Sequence, residues 1–193
     1  MSSEKEEKYS RILDAAIKVF AKNGVENSTI AKIASEAGVA DGTIYLYFKN
    51  KRDILIQFAK DRGSKILAKF QEESGKGSNA KEKMINLLLA HLDEFAENRD
   101  IAIVFQAEIS KFHSAEPYIR ALSNKYRYIL KTILENGKNE GLIDSSIDVV
   151  FVKNAISGAV NEIINIGIIR DRKLDTEKTV DNLVKFIFKG IGI

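Results

Sequence analysis

Apolar residues recur at three- and four-residue intervals along most of the chain, a spacing that gathers them on one face of an α-helix rather than one side of a strand. Tyr9, Ile12, Leu13, Ala16, Ile17 and Phe20 trace the first such face, which Gly24 ends. Ile30, Ile33, Ala34 and Ala37 trace a second, with Gly38 as its stop. Thr29 stands where a side-chain oxygen can accept a hydrogen bond from a first-turn amide, although Lys32 occupies the place where a full capping box would put Glu or Gln. A third, short helix is expected from Asp41, with Ile44 and Phe48 as its buried side together with Val39 of the turn. Arg52 to Gln71 follows as a longer helix through Ile54, Leu55, Phe58, Ile66, Leu67 and Phe70, interrupted at Gly63 and stopped by the SGKGSN loop.

Downstream, Met84, Leu87, Leu88, Leu92 and Phe95 form the stripe of a helix from Ala80 to Asn98, and His91 lies on that stripe. Asp100 to Lys111 is apolar apart from Gln106 and Glu108, whose polar groups need partners in such surroundings. Ser114 and Pro117 open the next helix, which runs through Ile119, Leu122, Tyr126, Ile129, Ile133 and Leu134 to the NGKNEG stop. From Asp148 to Arg170 the apolar residues spread around more than one face, and Val180 to Phe188 repeats that excess. A helix with two apolar faces has to bury both, so these last two helices are expected to meet a second copy of the chain, with Gly158 and Ala159 allowing close approach. The expected fold is all-α with about nine helices, a three-helix head over residues 1–52 and a helical body over 53–193.

Composition narrows the function more by exclusion than by pointing. One proline, no cysteine and 45% hydrophobic residues suit a helical, disulfide-free chain with a real core, expected in the cytoplasm. The N-terminus lacks an apolar signal segment, and no run of about 18 apolar residues suggests a membrane span or partner. An enzyme is not expected, because the chain has no glycine-rich phosphate loop or nucleophile elbow. His91 and His113 lie far apart with no thiol nearby, so no metal site is expected either. The net charge of +3 is too small to identify a nucleic-acid binder by itself.

The outward side of the third helix is more specific. With Ile44 and Phe48 turned in, Gly42, Thr43, Tyr45 and Leu46 turn out, an odd surface unless something docks on it. Two short helices joined by a glycine turn, the second so exposed, read as a helix-turn-helix whose partner is the DNA major groove. Thr43 can bond a base edge or a phosphate, Tyr45 and Leu46 can touch thymine methyls, and Gly42 lets the backbone come close. Tyr47, Lys49 and Lys51 sit where phosphate contacts would fix the register, and Thr29, Lys32, Ala40 and Asp41 complete the candidate surface.

The stretch GVADGTIYLYFKNKRDIL resembles the DNA-binding signature of the TetR family of one-component repressors, and within that family its wording is most similar to the acyl-CoA-responsive regulators of fatty-acid degradation. The resemblance implies a homodimer through the last two helices, a palindromic double-stranded operator, no cofactor, and release by a small lipophilic effector, here long-chain acyl-CoA. A repressor of efflux or stress genes answering to a lipophilic drug is the alternative. An apolar interior of Leu88, Leu92, Phe95, Val104, Phe105, Tyr126 and Ile129 would suit an acyl chain, though such stripes also build plain cores. His91, Glu108 and Lys111 are candidates for the polar part of a ligand, and Arg120 for coenzyme A phosphates. The Gln-x-Glu of residues 106–108 resembles those fatty-acid regulators, but Ile109, Ser110 and Lys111 stand where the family pattern has Leu-Arg-Gln.

Overall fold

The protein is described here by a computed structural model covering residues 3–112, 116–169 and 174–190. Its described residues are helical with no strand: α1 (Ser3–Asn23), α2 (Ile30–Ala37), α3 (Asp41–Tyr45), α4 (Lys51–Phe58), α5 (Ser64–Gly75), α6 (Ala80–Glu97), α7 (Arg99–Ile103), α8 (Pro117–Asn139), α9 (Val149–Ile163) and α10 (Thr176–Gly190). A π turn at Ala59–Gly63 joins α4 to α5, and counting these two as one helix leaves nine among the described residues. Further π turns lie at Val104–Glu108 and Ile164–Ile169, each inserting a residue that a strict 3.6-residue pattern cannot show. His113, Ser114 and Arg170 fall outside the described residues.

The chain forms two compact units that do not follow its order. One holds Met1–Gly63 with Asp100–Ile119, the other Ser64–Arg99 with Arg120–Ile193. In the first unit Ile12, Leu13 and Phe20 of α1, Ile33 of α2, Ile44 of α3 and Leu55 and Phe58 of α4 close one core. Val104 and Ile109 of the segment after α7 enter that same core. Phe48 is buried there under Tyr9, whose ring stacks 5.1 Å away at 25°. Arg62 in the π turn reaches back to α1, donating from Nη2 to Asp14 Oδ1 at 2.6 Å.

The second unit packs α6 against α5 and α10. Met84, Leu87, Leu88 and Leu92 of α6 are fully buried, and so is Leu130 of α8, which the three-and-four spacing passed over. Helix starts are capped as their sequences demand: Asn79 Oδ1 accepts from Glu82 N at 3.0 Å, and Asp148 Oδ1 from Val150 N at 2.8 Å. Val149–Gly167, 19 residues, is long and apolar enough to cross a membrane by length and composition alone. Lys153, Asn154, Asn161 and Glu162 break it into shorter apolar pieces, which is why no continuous run stood out. Only 22% of that stretch is buried, so the apolar excess of α9 lies on its outside.

Candidate nucleic-acid interface

Two short helices and the turn between them build the exposed surface. Thr29 caps α2 in an extended conformation, its Oγ1 accepting from Lys32 N at 3.2 Å. Gly38 ends α2 with φ 65°, a left-handed conformation that glycine enters without a Cβ clash, while Val39 N donates to Ala34 O at 3.0 Å. The chain then turns into α3 at Ala40. Ile44 is completely buried and Phe48 nearly so, which turns the intervening residues outward: Tyr45 is 60% and Leu46 77% exposed. Asp41 and Gly42 are exposed and Thr43 is half-buried. A Cβ built on Gly42 would meet nothing within 4 Å, so the side of α3 it occupies is open to a partner. Thr29, Lys32 and Ala40 are exposed on the approach to α3. Tyr47 is half-buried, its ring 6.3 Å from Phe48 and 6.4 Å from Tyr9.

Lys51, expected to meet a phosphate, is engaged within the head. Its Nζ donates to the carbonyls of Val25 at 2.9 Å, Glu26 at 2.9 Å and Ser28 at 2.8 Å, so the three protons of the ammonium are all engaged within the protein. The α4 start holding it is fixed by a reciprocal cap that the sequence reading passed over. Asn50 Oδ1 accepts from Asp53 N at 2.9 Å, and Asp53 Oδ2 accepts from Lys49 N at 2.9 Å. The Asn-x-x-Asp spacing at residues 50–53 was a usable signal for it.

The residues considered for a ligand do not gather in one unit. Val104 is fully buried in the core of the first unit, and Phe105 packs on Phe58 with ring centroids 5.6 Å apart. Glu108 is buried in the same unit, accepting from the exposed Lys111 Nζ at 3.2 Å, and its Oε1 lies 3.5 Å from where a Cβ on Gly24 would sit. Leu88, His91, Leu92, Phe95, Arg120, Tyr126 and Ile129 belong to the second unit. There His91 is ringed by Phe70, Phe95 and Tyr126 at centroid distances of 4.8, 5.0 and 5.0 Å, with Nδ1 2.9 Å from the Tyr126 hydroxyl. Ile129 is half-buried and Arg120 exposed on the same α8.

Burial drives the His91 imidazole down to about 3, and drives the Tyr126 phenol up. The ring is therefore neutral at physiological pH. Because its folded pKa lies below the unfolded value of about 6.5, the stability it confers is complete above that value and is lost as pH falls toward the folded one. Stability to urea is expected to drop by about 2 to 3 kcal/mol between pH 6.5 and 4.5 through this group. His91→Gln should flatten that slope while leaving the phenol a partner, and an unchanged slope would refute the assignment.

Residues that project a glycine-flanked threonine, a phenol and a leucine from a short helix over a three-helix core define a helix-turn-helix DNA-binding head. The chain belongs to the TetR family: the profile of bacterial regulatory proteins of the tetR family matches residues 12–58, and that of the C-terminal region of YsiA-like proteins matches residues 59–190. The fatty acid metabolism regulator protein of Bacillus subtilis is 35% identical over 97% of either chain. Among solved structures, the FadR transcriptional regulator of Bacillus subtilis in complex with stearoyl-CoA superposes with a TM-score of 0.83 at 34% identity, covering 95% of this chain and 99% of that one. The fatty acid degradation regulator FadR of Bacillus halodurans gives a TM-score of 0.83 at 30% identity, covering 94% of each.

Proposed function

We propose that the chain is a transcriptional repressor of fatty-acid degradation genes, working in the cytoplasm as a homodimer that holds a palindromic operator and lets it go when a long-chain acyl-CoA binds its body. The observation that carries the effector is likeness over 95% of the chain to a regulator crystallised with stearoyl-CoA, because that likeness runs through the body helices as well as the head. In this reading residues 1–52 read DNA and 53–193 bind the effector and dimerise. Thr43, Tyr45 and Leu46 meet base edges and thymine methyls, Gly42 and Asp41 lie at the closest approach, and Thr29, Lys32, Ala40 and Tyr47 flank the backbone. The exposed Val150 and Phe151 of α9 and Phe186 of α10 support an interface made by the last two helices.

Release needs only a differential affinity. A ligand that favours the state unable to bind DNA by about 1 to 3 kcal/mol weakens operator binding about 5- to 150-fold. The test is fluorescence anisotropy on a duplex from the region upstream of the chain's own gene. Stearoyl-CoA and palmitoyl-CoA are expected to raise the Kd within that range, and palmitate or a lipophilic dye to leave it unchanged. Release by the dye with no response to either thioester would instead support a regulator of efflux or stress genes.

A further inference from the structure

We propose that Lys51 is a positioning residue of the DNA-reading head, tying the first turn of α4 to the loop ahead of α2 through its three carbonyl bonds. This builds on the DNA-binding reading above and gives the lysine a role other than meeting a phosphate. The acceptors stand 23 to 26 residues earlier in the chain, so one side chain spans the whole helix-turn-helix. Two of the three acceptor residues are tied to each other. Ser28 is buried, its Oγ donating to Gly24 O at 2.6 Å and its N to Val25 O at 3.2 Å. The Ser28 carbonyl belongs to the peptide entering Thr29, the cap of α2. Turning that carbonyl away turns Thr29 with it and loosens the bond from Lys32 N.

At the other end the Lys51 backbone is fixed by the Asn50–Asp53 cap. Between the two ends lie α2, the Gly38 turn and α3, whose only deep anchors are Ile33, Ala34, Ala37, Ile44 and Phe48. The ammonium therefore closes a ring of structure around the recognition helix. Reaching for a phosphate would give up three charge-assisted bonds for one and take the ammonium away from three converging carbonyls, of which Val25 O alone keeps a backbone donor, Ser28 N. Lys32 and Lys49 are exposed and carry charge on this surface without that cost.

The chain has no cysteine, so Lys51→Cys creates a unique thiol. Alkylating it with 2-bromoethylamine rebuilds an ammonium at lysine length, whereas (2-bromoethyl)trimethylammonium installs the same charge without N–H donors. Each form is refolded, checked by circular dichroism, and titrated against a fluorescein-labelled duplex that the wild type has selected from a random pool, over a range of salt. Amide exchange across residues 24–33 is followed without DNA.

The cysteine form is expected to bind at least about tenfold more weakly, the aminoethyl form to recover to within about threefold, and the trimethylammonium form to stay weak. The slope of log affinity against log salt should be the same for all, because no phosphate contact is lost. Exchange should quicken in the cysteine and trimethylammonium forms and slow again in the aminoethyl form. If the cysteine form does not fold, the two adducts carry the comparison between them. Wild-type binding by the trimethylammonium form, or a slope shallower by about two counterions per dimer in the cysteine form, would mark a phosphate contact and overturn the proposal. Quickened exchange with undiminished affinity would overturn it too, reducing Lys51 to a structural tie. A wild type that selects no DNA sinks the DNA-binding reading itself, a failure distinct from these.

Discussion

Thr43→Ala with Tyr45→Ala is expected to weaken operator binding about 30- to 1000-fold while the melting temperature holds. The estimate takes about 1 to 2 kcal/mol of lost contact per recognition helix and counts both copies in the dimer. Stability is spared because neither side chain supports the core: Tyr45 is 60% exposed and Thr43 half-buried, whereas Ile44 and Phe48 beneath them are untouched. Alanine also suits a helix better than either residue it replaces. Anisotropy at one fixed salt concentration, paired with thermal melts, separates the two effects. Full affinity in a folded double variant would mean that α3 does not read DNA.

The head was legible because its information is local. Thr29 and Gly38 bracket α2 within ten residues, and the Ile44 and Phe48 pair fixes which side of α3 faces out, all from spacing. Lys51 was not legible, because its partners lie more than twenty residues back and a lysine among charged neighbours at a helix start looks like a solvated one. Its long apolar stem lets the ammonium reach acceptors that periodicity cannot name.

The body was legible as helices and much less so as a site. An apolar stripe states that a face is buried without stating against what. Val104 shows the difficulty: its pattern matches that of the body helices, yet it completes the core that Phe20 and Phe58 begin. The π turn at Val104–Glu108 shifts the facing of the residues after it, so no count of threes and fours could have placed Glu108 beside Gly24. His91 was legible as a residue of the α6 stripe and a candidate for the polar part of a ligand, but spacing could not name Tyr126, the partner that a neutral buried imidazole needs.

Charge placed on the outer faces of α9 and α10 should cost the protein both its dimer and its operator. Phe151→Glu with Phe186→Glu is expected to convert the dimer to a monomer and to lower operator affinity about 100- to 10,000-fold. That is the range lost when two linked binding events become separate ones. Phe151 and Phe186 are 70% and 75% exposed, so their rings support little inside one chain and have the most to gain from a second. Folding of the protomer should survive. Phe151 sits in the first turn of α9, next to the cap that Asp148 makes, and a carboxylate at a helix N-terminus is favoured by the unpaired amides there. A symmetric interface doubles the insult, since each substitution places two carboxylates near the same axis, where desolvation and like-charge repulsion add. A monomer presents one α3, which spans too few base pairs to hold an operator whose half-sites lie about 34 to 36 Å apart. Sedimentation velocity reports the mass, circular dichroism the fold, and anisotropy the affinity. A variant that remains a dimer would move the interface off these helices, and a monomer that still binds tightly would remove the need for a twofold operator.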